Sequence, residues 1–196
     1  MKPFLVLYAT REGHTHQIAE HVAETLRARG LSADLIDAAR LPADLPLGNY
    51  CGAVLAASVH LQKHEPEMTR FVKRQVRDLE RIPTAFLSVS LSEAEAENIK
   101  APPERRAQAA KDAQRMIDTF LGDTGWHPCR TQAVAGALVY SKYNFVVRYI
   151  MKRIARQAGG DTDTSKDYVY TDWKRLDEFV DELTSFVMSS ETSIGR

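Results

Sequence analysis

Ala53-Val54-Leu55-Ala56-Ala57 is apolar at every position, so it has no face to offer to water. A short strand of that kind is covered on both sides, as the strands of a parallel sheet are. Phe4 to Tyr8, Ala33 to Ile36, Thr84 to Ser88 and Thr131 to Leu138 are further candidate strands. Helical patterns fill the chain between them. Ile18, Ala19, Val22, Ala23 and Leu26 recur at helical spacing, and Gly30 stops that helix. Met68, Phe71, Val72, Gln75, Val76 and Leu79 predict a second helix, with Pro66 near its start. A third is predicted from about Pro103 to Leu121, after a Glu-rich loop at Glu93 to Glu97 that is expected to be exposed. Asp172 caps a last one built on Trp173, Leu176, Phe179, Val180 and Leu183. Alternation of this kind predicts an α/β protein with a parallel sheet covered by helices on both faces. We expect one domain over residues 1–188, a frayed tail at 189–196, and an insertion at about 139–171 that five strands do not require.

The 196 residues suffice for one core without covalent staples. With 26 acidic and 26 basic side chains, net charge gives no reason to expect a nucleic-acid partner. Cys51 and Cys129 have no metal-ligand or disulfide-framework spacing, which suits free thiols in a reducing compartment. The run Phe4 to Ala9 is too short for a signal peptide, and no stretch reaches the ~20 apolar residues of a spanning helix. The expected location is therefore cytoplasmic.

In a parallel sheet the ligand crevice lies beyond the carboxyl ends of the strands. Thr10-Arg11-Glu12-Gly13-His14-Thr15 falls at that edge, between the first strand and the first helix. A phosphate there needs hydroxyls, backbone amides and a helix N-terminus, whose first-turn amides are unpaired and whose dipole favours an anion. Thr10 and Thr15 supply hydroxyls and Gly13 supplies backbone freedom, while Glu12 must point away. The loop is neither a Walker loop nor a three-glycine dinucleotide turn. An ordinary strand-to-helix turn would use similar residues.

The wider pattern is more particular. Tyr8 to Thr15, Ala57-Ser58-Val59-His60, Phe86 to Leu91, Ala135 to Tyr140, Gly159-Gly160-Asp161-Thr162-Asp163-Thr164 and Val169 to Trp173 together resemble flavodoxins, in particular the menaquinone-dependent protoporphyrinogen IX dehydrogenase (oxidase) family. The resemblance spans roughly residues 3 to 180 and implies a flavodoxin-like sheet in the order 2-1-3-4-5. It also implies flavin mononucleotide (FMN), with its phosphate on Thr10, Arg11, Glu12, Gly13, His14 and Thr15. Ser58, Val59 and His60 would then line one side of the flavin ring, and Ser88, Val89, Ser90 and Leu91 the other. Many flavodoxins stack an aromatic residue on the ring at the first of these loops. Here only His60 offers one between Ser58 and Gln62, which leaves the ring face open to a bulky substrate.

From Thr124 to Gly160 there is no acid, whereas Arg130, Lys142, Arg148, Lys152, Arg153 and Arg156 are all basic. Tyr143, Val146, Val147, Ile150, Met151 and Ile154 follow helical spacing, so one face is apolar while Arg148, Lys152 and Arg156 share another. Such a helix suits an anionic membrane surface, and equally suits packing on the domain with its basic face in water. The resemblance adds a use for it: Tyr143, Arg148, Lys152, Arg153 and Arg156 would meet the propionates of a porphyrinogen or the lipid in which menaquinone resides. Gly159 to Thr164 lacks the ligand spacing of a calcium loop and reads as a turn, and no metal is expected.

The implied reaction is oxidation of protoporphyrinogen IX to protoporphyrin IX, in haem biosynthesis. Hydride passes from a substrate carbon to flavin N5, and electrons then pass to menaquinone or another quinone. The cofactor carries that chemistry, so no acid/base pair is required, and His60 is the residue best placed to accept a proton. An electron-carrying flavodoxin or a nicotinamide- or quinone-linked FMN reductase is the alternative, and a domain that kept the fold and lost the flavin is a third. Carriers usually present strong negative charge to partners, unlike this neutral chain with its basic insertion.

Overall fold

A computed structural model describes residues 2–42, 45–142, 149 and 162–194, with side chains through 189. Five parallel strands form the sheet: β1 (Phe4–Ala9), β2 (Ala33–Asp37), β3 (Gly52–His60), β5 (Thr84–Ser90) and β6 (Arg130–Ala135), in the order β2-β1-β3-β5-β6. A two-residue strand β4 (Lys63–His64) folds back antiparallel on the end of β3. With β4 set aside, this is the 2-1-3-4-5 order expected from the sequence.

Period-2 alternation splits the core between the two faces of the sheet. Phe4, Val6, Val54, Ala56 and Leu87 pack with Ile18, Val22 and Leu26 of α1 (His14–Ala28) and with Leu176, Val180 and Leu183 of α5 (Trp173–Ile194). Leu5, Leu7, Leu55, Ala57 and Phe86 face the other way, onto Met68, Phe71 and Val72 of α2 (Pro66–Leu79) and Ile117 and Phe120 of α4 (Pro103–Thr124). The second face is the aromatic one. Phe86 and Phe120 stack with centroids 4.6 Å apart, and Trp126 meets both edge-on while its Nε1 donates to Thr84 Oγ1 at 3.3 Å. Burying each ring is worth roughly 1.5–3 kcal/mol.

Three features depart from the sequence expectation. Glu93 to Glu97 is not an exposed loop: it belongs to helix α3 (Leu91–Glu97), and Glu93 is buried. Ser90-Leu91-Ser92-Glu93 carries the Ser-x-x-Glu signature of a helix start, and Ser90 Oγ accepts from Glu93 N at 3.1 Å. Arg175 of α5 answers the acids, its Nη1 lying 2.6 Å from Glu97 Oε1 and 3.6 Å from Glu93 Oε1. Burial nevertheless raises both carboxyls above their usual range.

Second, the strand expected over Thr131 to Leu138 breaks at Gly136. Its N–H donates to Ser90 O at 2.9 Å, and a Cβ there would come within 3.3 Å of the same carbonyl. Beyond it, β7 (Ala137–Leu138) pairs antiparallel with β8 (Tyr168–Val169) and joins the two ends of the inserted segment. Third, α5 continues to Ile194, past Ser189 where the apolar periodicity fades.

Candidate functional site

α1 begins at the carboxyl edge of the sheet with Gly13 as its N-cap, at φ +95° in the left-handed region. A Cβ there would meet nothing within 4 Å, so glycine contributes conformation rather than room. Gly13 N donates to Thr10 Oγ1 at 3.0 Å, and no side chain caps the helix. The first intrahelical bond is Gln17 N to Gly13 O. The amides of His14, Thr15 and His16 therefore open toward whatever sits beyond the helix end. Thr15 Oγ1 has no hydrogen-bond partner among the described residues, and Thr10 keeps its hydroxyl proton for a ligand.

Glu12 points away from this cradle, as a phosphate requires. Its Oε2 lies 3.0 Å from His60 Nε2 at the end of β3, and Glu65 Oε1 lies 3.3 Å from the same nitrogen. Neither contact has the direction of a hydrogen bond, and His60 Nε2 is buried with no bonded partner. Glu65 itself is firmly held. Its N–H donates to Ser58 O, its Oε1 accepts from Ser58 Oγ at 3.2 Å, and Arg11 Nη2 donates to its Oε2 at 3.3 Å. One buried carboxylate thus ties the turn after β1 to the hairpin after β3.

The side chains of the third loop turn inward. Ser88 Oγ shares a 2.8 Å hydrogen bond with His64 Nε2, and Ser90 Oγ caps α3. His64 packs against both stacked rings, 5.1 Å from Phe86 and 4.8 Å from Phe120 between centroids, and burial pushes its imidazole down to about 4. It is neutral at pH 7. Val89 is buried, so Leu91 and backbone groups are what this loop offers to a ligand.

His14 also serves the fold. The Thr171 hydroxyl donates to Ala135 O at 2.7 Å, so it accepts from His14 Nε2–H, also at 2.7 Å. Burial holds this imidazole below its usual value. The ring lies near Trp173, and only the backbone of His14 is available to a phosphate.

The described structure thus brings Thr10, Arg11, Glu12, Gly13, Thr15, Ser58, Val59 and His60 to one edge, with Leu91 at the neighbouring loop. Tyr143, Arg148, Lys152, Arg153 and Arg156 lie outside the described residues. Of the Gly159 to Thr164 block the later part is described: Ser165 N and Oγ both donate to Asp163 Oδ1, as in a local turn. No group of three or more metal-ligating side chains occurs among the described residues, nor is any of their helices long and apolar enough to cross a membrane. The sequence reading missed Glu65, His64 and Thr171. Glu65-Pro66, an acid immediately before a helix-opening proline, was the one local signal for the first. Neither Cys51 nor Cys129 is in a disulfide; Cys129 Sγ donates to Thr84 O at 2.9 Å, and partial burial raises its thiol above the usual value.

Open first-turn amides, two threonine hydroxyls, a left-handed glycine and an orphaned ring nitrogen fit a phosphorylated ring cofactor lying across three loops. A Flavodoxin domain model matches residues 5–165. The fold agrees with that of a short-chain flavodoxin associated with a bacterial microcompartment, at TM-score 0.56 and 12% identity over 95% of this chain and 99% of that one. It also agrees with oxidised flavodoxin 1 of Bacillus cereus, at 0.50 and 15% over 93% and 97%. The class is that of FMN-binding flavodoxin-domain proteins. Within that class, the chain is 34% identical to protoporphyrinogen IX dehydrogenase [quinone] of Escherichia coli (strain K12), over 91% of this chain and 93% of the relative. It is 29% identical to the Leishmania major protein of the same name, over 94% and 76%. The chain belongs to the protoporphyrinogen IX dehydrogenase [quinone] family of flavodoxin-domain oxidoreductases.

Proposed function

We propose that this chain uses FMN to oxidise protoporphyrinogen IX to protoporphyrin IX and passes the electrons to menaquinone or another quinone. The observation that carries this is the 34% identity, almost end to end, with a relative of that activity. Bound FMN would accept two electrons at a time and relay them to a quinone, so the full oxidation takes three cycles and three quinones. The chain binds and orients. Thr10, Thr15 and the first amides of α1 hold the phosphate, with Arg11, Glu12, Gly13 and His14 shaping that turn. Ser58, Val59 and His60 border the ring on one side, and Ser88, Val89, Ser90 and Leu91 support the other. His60 is the residue best placed to receive a proton that the substrate loses. Between Ser58 and Gln62 only His60 offers an aromatic ring, which leaves the flavin face open to a bulky macrocycle.

Anaerobic mixing of the FMN-loaded protein with protoporphyrinogen IX is expected to bleach the flavin band, and a menaquinone analogue is expected to restore it. Rapid bleaching by a nicotinamide with none by the porphyrinogen would replace this reading with a reductase. For location, we propose the cytoplasmic side of a membrane, bound at its surface. Leu61 in the β3–β4 turn, Ile99 after α3 and Val169 in β8 are exposed, and the 143–156 pattern is basic and amphipathic. Replacing Arg148, Lys152 and Arg156 with Glu is expected to abolish co-sedimentation with anionic vesicles; retention on the vesicles would refute surface binding.

A further inference from the structure

A groove of about 590 Å³ lies on the flank of the molecule, between α2 and α4 under the β3–β4 hairpin. That size suits an organic ligand rather than an ion. Its walls are of two kinds. Phe120, Met116 and Pro66 make it apolar, and His64, held neutral by its burial, adds a second flat ring. Around these stand Lys63, Arg70, Lys73 and Arg115, opposed by Asp123 as the only acid in the lining.

The four cations are not equivalent. Arg70 is paired with Glu67 at 3.1 Å and Arg115 with Asp112 at 2.8 Å, each within its own helix. Lys63 and Lys73 have no ion-pair partner among the described residues. Two ammonium groups without an ion-pair partner over an apolar floor suit an apolar ligand bearing two carboxylates.

The turn that roofs this groove is strained. Leu61 at φ +49° and Gln62 at φ +63° both hold the left-handed conformation that glycine would accept without strain, and Leu61 is 96% exposed. Strain of this sort persists where surrounding structure or function maintains it. The hairpin also connects the groove to the cofactor edge, because His60 and Lys63 are paired across it.

We infer that the groove seats the propionate-bearing rim of the cyclic tetrapyrrole, with Lys63 and Lys73 each meeting one carboxylate. This rests on the proposed oxidation of protoporphyrinogen, and it shifts part of substrate recognition from the inserted segment to the α2/α4 flank. Lys63 and Lys73 are specificity-determining residues here, outside the electron-transfer step.

The test uses FMN-loaded protein and protoporphyrin IX, followed through its Soret band. Lys63→Glu with Lys73→Glu is expected to raise the Kd about tenfold or more, and the dimethyl ester of the porphyrin is expected to bind the original protein about as weakly. Thr119→Trp, which fills the groove from an exposed position without changing charge, is expected to weaken binding comparably. In turnover, both changes are expected to raise KM for protoporphyrinogen with little change in kcat. Unchanged Kd and KM in proteins that melt normally would overturn the groove assignment, while flavin bleaching by the porphyrinogen would still uphold the oxidation. Tight, charge-dependent binding of oleate with none of the porphyrin would overturn it as well, identifying a lipid carboxylate as the occupant. If the porphyrinogen fails to bleach the flavin yet porphyrin binding responds to both variants, the oxidation falls and the groove stands.

Discussion

The turns that follow β1 and β3 leave the sheet at the same edge, and both enter the left-handed region. After β1 the residue is Gly13, for which φ +95° involves no Cβ strain, and the ligand-facing groups are backbone amides and small hydroxyls. After β3 the residues are Leu61 and Gln62, at roughly 1–2 kcal/mol of conformational cost each. The groups around them are long side chains: His60, Lys63 and Glu65. A phosphate is the same in every flavin protein, so backbone geometry is enough to hold it. A substrate is particular, and under the proposed groove assignment the left-handed backbone of Leu61 and Gln62 sits beside the side chains that would discriminate it.

The largest expected effect lies beneath the hairpin, at His64. Its imidazole falls from 6.5 in the unfolded chain to about 4 when folded, so stability is complete above pH 6.5 and is lost as pH falls toward 4. The loss approaches roughly 3 kcal/mol, readable as a lower urea midpoint at pH 4 than at pH 7. His64→Phe is expected to flatten that acid limb, at a pH-independent cost of about 1–3 kcal/mol for the abandoned Ser88 hydroxyl. An acid limb that keeps its full depth would place the responsible group elsewhere.

Thr171→Val comes next. It removes the hydroxyl that joins His14 Nε2 to Ala135 O, and thermal melts are expected to report about 2 kcal/mol of destabilisation. A change confined to FMN affinity with no loss of stability would show the contact to be functional only. Gly13→Ala is expected to cost about 1 kcal/mol and to weaken FMN binding about tenfold in a fluorescence titration, through backbone conformation alone. The smallest effect has the opposite sign. Gln62→Gly relieves a left-handed residue and is expected to raise stability by about 0.5 kcal/mol, after the entropy glycine adds to the unfolded chain. Destabilisation instead would mean that the Gln62 side chain anchors the turn.

The same contrast governs how much could be read from the sequence. Strands β1, β3 and β5 announce themselves as apolar runs, and α1, α2 and α4 as 3.6-residue periodicity, because one-dimensional spacing encodes which face is buried. The start of α1 was legible for a similar reason, since Thr10, Gly13 and Thr15 lie within six residues of one another and Gly13 N bonds Thr10 Oγ1 locally. Glu65 was not, because its partners Arg11 and Ser58 are 54 and 7 residues away and the meeting is made by the sheet. Nor was the inward role of His14, whose partner lies 157 residues on. The Glu93 to Glu97 run misled because five residues with three acids suggest solvent, while the charge that neutralises them, Arg175, comes from α5.

That 157-residue contact has a consequence for how the molecule is assembled in time. The helix that would carry the cofactor phosphate is written at the start of the chain, and a ribosome releases it long before Thr171 exists. Until then His14 lacks the hydroxyl that fixes its ring, and Ala135 O lacks the donor that joins β6 to the same point. The ring of His14 therefore gains its partner only after a further 157 residues have been made.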